Sequence, residues 1–144
     1  MFLGENYHSL DAKGRFVVPA KLRGKLGSTF VITRDVRDPH LYIYPLSAWE
    51  DLTRKLGEIP SSDKKAVQAQ RIIIGSAQDC EPDGQGRFLI PQNLRKYAKI
   101  TKEIVSVGMT NRIELWAKEV WDENVDNLMV ADDELMEELK ARGI

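Results

Sequence analysis

Two short patterns carry the chemistry-bearing residues of this 144-residue chain: Asp11-x-x-x-Arg15 and Asp83-x-x-x-Arg87. An Arg guanidinium is a planar fork of N–H donors. It matches a carboxylate, a phosphate, or the O6/N7 edge of guanine. Two uses of the motif therefore stand side by side. In one, Arg pairs with Asp across a turn and locks it. In the other, Arg reaches for a nucleic acid while Asp holds the fork in place by one edge. Acid–base catalysis by the two aspartates is disfavoured. An Arg four residues on holds each carboxylate ionised, whereas a catalytic dyad needs a shared proton. His8, His40 and Cys80 are not at metal-ligand spacing, so no metal and no cofactor is expected. Gly-x-Ser-x-Gly is absent, and Asp83-Gly-Gln-Gly-Arg87 leads into a strand rather than a helix, so it is no phosphate cradle. No enzymatic activity is expected.

The elements that must position these residues repeat. Asp11-Ala-Lys-Gly-Arg15-Phe-Val-Val-Pro19 returns as Asp83-Gly-Gln-Gly-Arg87-Phe-Leu-Ile-Pro91, and Leu22-Arg23 returns as Leu94-Arg95 in the same register. Leu41-Tyr-Ile-Tyr44 falls on Ile113-Glu-Leu-Trp116 and Trp49 on Trp121, while Phe30-Val-Ile-Thr33 aligns with Ile104-Val-Ser-Val107 two residues later. Each copy reads as a strand, a tight turn with Gly14 or Gly86 free to take positive φ, a β-rich return strand, a short helix after Pro19 or Pro91, two strands and a helix. Ser47-Ala-Trp-Glu50 reads as a capping box, and Ser62 as the cap of a helix reaching Ile74. The expected organisation is a first repeat over 1–57, a linker and helix over 58–76, a second repeat over 77–128, and an acidic C-terminal helix over 129–144. A copy of about 60 residues is marginal for an independent core. The strands Phe16–Val18 and Phe88–Ile90 are therefore expected to bury against each other. The fold class is α+β: a pseudo-twofold, barrel-like core of short strands with peripheral helices.

Charge is divided unevenly. Residues 1–118 hold 19 Lys and Arg against 13 Asp and Glu, and residues 119–144 hold 2 against 9, within an overall net of −1. A basic body thus carries an acidic tail, and the asymmetry is more telling than the total. Lys13 sits in the first turn where the second copy has Gln85. Lys21, Arg23 and Lys25 lie near the first short helix, and Arg95, Lys96, Lys99 and Lys102 near the second; all suit phosphate contacts. Arg34 and Arg37 share a loop with Asp35 and Asp38 and are expected to pair there. Leu135, Met136 and Leu139 form an apolar stripe on the last helix, expected to pack on the body. The single Cys fits a reducing compartment, and no apolar run approaches the ~20 residues of a membrane span. A cytoplasmic protein is expected.

Asp11-x-x-Gly-Arg15-x-x-x-Pro19-x-x-Leu22-Arg23 resembles the AbrB-type swapped-hairpin DNA-binding signature. Two such copies in one chain, with Arg71-Ile-Ile-Ile-Gly75-Ser-Ala77 before the second, resemble the MraZ family of bacterial transcriptional regulators. The resemblance implies a swapped-hairpin barrel built from the two halves of one chain. It also implies a nucleoid-associated repressor of the division and cell-wall gene cluster, bound to double-stranded DNA at direct promoter repeats as a closed homo-oligomeric ring. On that reading Arg15 and Arg87 contact DNA, with Lys13, Lys21, Arg23 and Arg95 in support, and Asp11, Gly14, Asp83 and Gly86 shape the turns. The competing expectation is a ring-forming scaffold whose Asp-x-x-x-Arg pairs never touch DNA.

Overall fold

The computed structural model describes all 144 residues, the side chain of Leu128 excepted. The first copy supplies β1 (Glu5–Ser9), β2 (Arg15–Val17), α1 (Ala20–Leu26), β3 (Phe30–Arg34), β4 (Leu41–Pro45) and α2 (Leu46–Gly57). Helix α3 (Lys64–Gly75) leads to the second copy: β5 (Gln78–Cys80), β6 (Arg87–Leu89), α4 (Gln92–Ala98), β7 (Glu103–Gly108), β8 (Ile113–Ala117) and α5 (Lys118–Met129). A last helix, α6 (Asp133–Ala141), follows.

The two copies exchange strands. Six strands form an antiparallel sheet in the order β1-β7-β8-β4-β3-β5, so each copy's first strand completes the other copy's half. The register obeys a pseudo-twofold axis: Tyr7 opposes Val105 as Asp79 opposes Val31, and Tyr42 opposes Glu114 where the halves meet. The remaining strands, β2 and β6, pair only with each other, Phe16 facing Phe88. The mutual burial foreseen for these strands is thus met at the two phenylalanines. The barrel is not met in full. The six-stranded sheet stays open at β1 and β5, and β2–β6 is a separate three-residue ribbon. Pro19 and Pro91, close behind the ribbon strands, have no N–H with which to extend the ladder.

Side-chain alternation gives the ribbon two faces. Phe16 and Phe88 point inward, 3% and 7% exposed, whereas Val17 and Leu89 stand outward at 37% and 60%. The inner rings meet edge-on, Phe16 to Phe88 at 5.6 Å and Phe88 to Phe30 of β3 at 5.3 Å, a geometry that the aromatic quadrupole favours. This cluster joins the ribbon to a core that includes Ile32, Leu41, Ile43, Ile90, Leu94, Ile104 and Leu115.

Several local starts differ from the sequence signals. Helix α2 begins at Leu46 directly after β4, with Pro45 in front and no side-chain cap, so Ser47 lies inside the helix rather than capping it. The fixed φ of Pro45 already turns the chain from strand to helix. Asp63, not Ser62, caps α3 by accepting the Ala66 N–H at 3.1 Å. Asp132 caps α6 through the Leu135 N–H at 2.8 Å. The apolar stripe of α6 is not buried on the body: Leu135 is 44% and Met136 53% exposed. Residues Val130 and Asp132 are extended, so the chain leaves α5 before α6 begins.

Candidate nucleic-acid interface

Each ribbon strand begins at a turn built to one plan. Gly14 donates its N–H to the Asp11 carbonyl at 2.9 Å, and Asp11 donates its N–H to the Arg15 carbonyl at 2.9 Å. The Asp11 side chain then fills the loop: Oδ1 accepts the N–H of Lys13 at 2.9 Å and of Arg15 at 2.8 Å, and Oδ2 accepts Arg15 Nε at 2.8 Å. The second turn repeats this. Asp83 Oδ1 accepts from the Gln85 and Arg87 amides at 3.0 Å, and Oδ2 accepts Arg87 Nε at 2.7 Å. The fourth residue of each turn must be left-handed, and Gly14 and Gly86 supply φ of 77° and 79°.

Both readings of the motif are thus realised in one geometry. Asp takes only the Nε edge of each Arg, at an ion pair that remains partly open to solvent. The terminal Nη fork of Arg15 and of Arg87 makes no hydrogen bond among the described residues and remains available to a partner. The ribbon register places Arg15 opposite Leu89 and Val17 opposite Arg87. One face therefore shows two guanidinium forks at diagonal corners with Leu89 and Val17 between them. These two apolar residues were expected to be buried. The signal that finds them is the period-2 alternation from Phe16 and Phe88.

The carboxylates respond to this surrounding. Backbone N–H groups aimed at them, first those of Arg15 and Arg87, and then the guanidiniums hold both below the usual range, Asp83 at about 2. Because the folded turn keeps Asp83 near 2 against an ordinary 3.8, it adds stability at neutral pH that drains away as pH falls from 3.8 through about 2. We expect an NMR titration of the Asp83 carboxyl to find its midpoint near 2. In Arg87→Ala the midpoint should rise only part of the way, since the amide donors persist. A full return to 3.8 would show that the guanidinium, not the backbone, sets the value.

The remaining basic residues divide. Lys13 is exposed in the first turn, and Lys21 is exposed on α1. Arg23 and Arg95 instead reach across the pseudo-twofold axis to the opposite copy's turn. Arg23 donates Nη2 to the Gln85 carbonyl at 2.5 Å and Nε to the Val18 carbonyl at 3.0 Å. Arg95 lies over Gly14 and donates to the Thr101 carbonyl at 3.3 Å. A β-carbon on Gly86 would fall 2.5 Å from Arg23 Nε, and one on Gly14 3.1 Å from Arg95 Nη1. Gly86→Ala is therefore expected to cost more than the ~1–2 kcal/mol of a left-handed alanine, and more than Gly14→Ala. Equal losses of thermal stability in the two variants would contradict the clamp by Arg23.

Cation and catalytic chemistry gain one grouping that spacing did not reveal. Asp35, Asp38 and His40 place ligand-type atoms within 4.8 Å of one another. Asp35 Oδ2 is already occupied by the Arg37 and Asp38 amides at 3.1 and 2.8 Å, and His40 Nδ1 bonds the Leu41 carbonyl at 3.1 Å. His40 stacks on Trp116 at 4.4 Å, which suits a core histidine. Arg34 and Arg37, expected to pair with Asp35 and Asp38, have no carboxylate within 4.0 Å among the described residues. The loop amides have taken the Asp35 carboxylate instead. No helix among the described residues is long and apolar enough to cross a membrane.

Fold and site together define a duplicated α+β protein that presents a two-stranded ribbon with a guanidinium fork at each end. A family described as "MraZ protein, putative antitoxin-like" matches residues 1–72 and again 73–141. The chain is 43% identical to "Transcriptional regulator MraZ" of Thermoanaerobacter pseudethanolicus over 144 residues, covering all of both chains. It is 42% identical to the protein of that name from Pediococcus pentosaceus, again over all of both chains. It is 48% identical to that of Clostridium beijerinckii over 136 residues, 92% of this chain and 95% of the relative. The chain belongs to the MraZ family.

Proposed function

We propose that the chain is a sequence-specific DNA-binding transcriptional regulator, and that it acts as a repressor of the bacterial division and cell-wall gene cluster. The observation that carries the reading is the outer face of the β2–β6 ribbon: Arg15 and Arg87 with free forks, Val17 and Leu89 between. The B-DNA major groove admits a two-stranded ribbon; a guanidinium fork fits guanine O6/N7, and an apolar side chain fits the thymine methyl. Lys13 and Lys21 then meet phosphates, which position without specifying. Arg23 holds the second copy's turn through the Gln85 carbonyl and Arg95 lies over Gly14 of the first, each placed to add a phosphate contact beside its tip. The pairing of β2 with β6 fixes the two forks in one rigid frame, as a swapped-hairpin barrel would. The relatives named transcriptional regulators support the reading. It assigns no catalytic step, and it places the protein in the cytoplasm on the nucleoid.

One ribbon makes few contacts. Several ribbons in a closed homo-oligomeric ring, each on one of a series of short direct repeats, gain about 10²–10⁴-fold in avidity where the geometry permits. The test is a titration of promoter duplexes bearing one or several repeats. The array is expected to bind far more tightly than the single repeat, with affinity falling steeply as salt rises. Equal affinity for the single repeat and the array would remove the ring mechanism.

A further inference from the structure

The duplication is broken on the outer face of the first copy, where the DNA reading has no use for the residues present. Strands β3 and β4 are joined by six residues, Asp35 to His40, whereas Met109 to Arg112 join β7 and β8 with four. The longer loop, helix α2 and the β7–β8 turn enclose a cleft of about 380 Å³. That volume is within the range of small-molecule sites, about 300–1,000 Å³.

The lining mixes apolar side chains, among them Leu52 and Ile73, with a mostly cationic polar set. Arg34, Arg37, Lys55 and Arg112 bring four cations to it, with the rings of Tyr42 and Tyr44. Arg34 Nε is buried without an acceptor, the one such side-chain atom among the described residues. None of the four cations has a carboxylate within 4.0 Å among those residues. The two acids of the lining are engaged already. Asp35 is held by loop amides, and Asp51 lies 3.3 Å from Arg54 on its own helix. The frame is set in advance: Tyr97 donates its hydroxyl to the Asp35 and Asp38 carbonyls at 3.0 Å, and the Arg34 guanidinium lies 3.9 Å over the same ring. Arg112 sits 5.2 Å over Tyr42. A phosphate oxygen is the acceptor that best fits a cluster of guanidiniums without carboxylate partners.

We propose that this cleft binds a small phosphorylated effector, with Arg34, Arg37, Lys55 and Arg112 on its phosphates and the Tyr42 ring against its body. Phosphate chemistry is shared with the DNA backbone, so the test separates the two sources. Isothermal titration of the full chain with pyrophosphate and with ADP is expected to show saturable binding, one per protomer. Arg37→Gln with Arg112→Gln should weaken it at least tenfold, with circular dichroism and melting temperature unchanged. Lys55→Gln, on the exposed face of α2, provides a second variant should the first not fold. Arg15→Ala with Arg87→Ala should bind both probes as the wild type does, which keeps this result distinct from the failure of the DNA reading. Absence of saturable binding overturns the proposal. So does equal weakening by the Arg15/Arg87 pair, or unchanged binding in the cleft variants. Loss of DNA affinity in the cleft variants, without binding of either probe, assigns the cleft to DNA phosphate and overturns it as well.

Discussion

Replacing both Arg15 and Arg87 by alanine is expected to abolish specific operator binding while the protein stays folded and the proposed ring stays intact. A bidentate Arg–guanine contact carries about 1–3 kcal/mol of discrimination. Two per protomer amount to about 2–6 kcal/mol, or about 30-fold to more than 10⁴-fold in affinity. The aspartates raise the loss further, because each variant leaves a carboxylate facing DNA with its cation removed. The fold should survive. The ion pairs are partly open to solvent, and such pairs add little to stability. The turns keep their amide bonds to Asp11 and Asp83. Arg→Lys at both sites keeps the charge but loses the fork, so it should retain salt-sensitive non-specific binding and lose preference for the operator. If the oligomer dissociates before DNA binding is affected, the motif is an assembly device and the scaffold reading replaces the regulator.

Phe88→Ala should be strongly destabilising, and it should disable DNA binding from a distance. Phe88 is 7% exposed and touches two rings, Phe16 across the ribbon and Phe30 in β3. Truncating a buried Phe costs about 3–5 kcal/mol, a large share of the ~5–15 kcal/mol that holds a domain folded. Denaturant unfolding would measure it. The ribbon has only three residues per strand, so losing the ring also frees Arg87 and Leu89 from their register. At a temperature where the variant is still folded, operator affinity should fall although position 88 faces inward. Wild-type affinity in a folded Phe88→Ala protein would show that the ribbon need not be rigid.

Much of this was legible before any coordinates. The offset between Asp11–Pro19 and Asp83–Pro91 reports a duplication, and the marginal size of one copy implies that the copies share a core. Mutual burial of the segments Phe16–Val18 and Phe88–Ile90 follows as an expectation, and the phenylalanines meet it. What one sequence does not encode is which strand pairs with which. The exchange of β1 and β5 depends on contacts about 100 and about 50 residues apart. The apolar runs Phe16–Val18 and Phe88–Ile90 mask the outward faces of Val17 and Leu89, although alternation places both beside the arginines. The contacts of Arg23 and Arg95 with the other copy's turn are hidden, because a helix position says nothing of that turn. Arg34 and Arg37 looked self-paired because neighbouring charges in sequence suggest pairing. Backbone amides took the Asp35 carboxylate first. The stripe of α6 satisfies every rule for burial, yet Leu135 and Met136 face solvent in the single protomer.

The most direct test of the ribbon is dimethyl sulfate footprinting of the proposed promoter repeats, because the reagent methylates guanine N7 in the major groove and adenine N3 in the minor groove. Protein carrying Arg15 and Arg87 is expected to shield guanine N7 within each repeat, and the double alanine variant at matched occupancy to leave those guanines reactive. Shielding confined to adenine N3, or guanine shielding undiminished in the variant, would contradict a ribbon that reads the major groove through its two guanidinium forks.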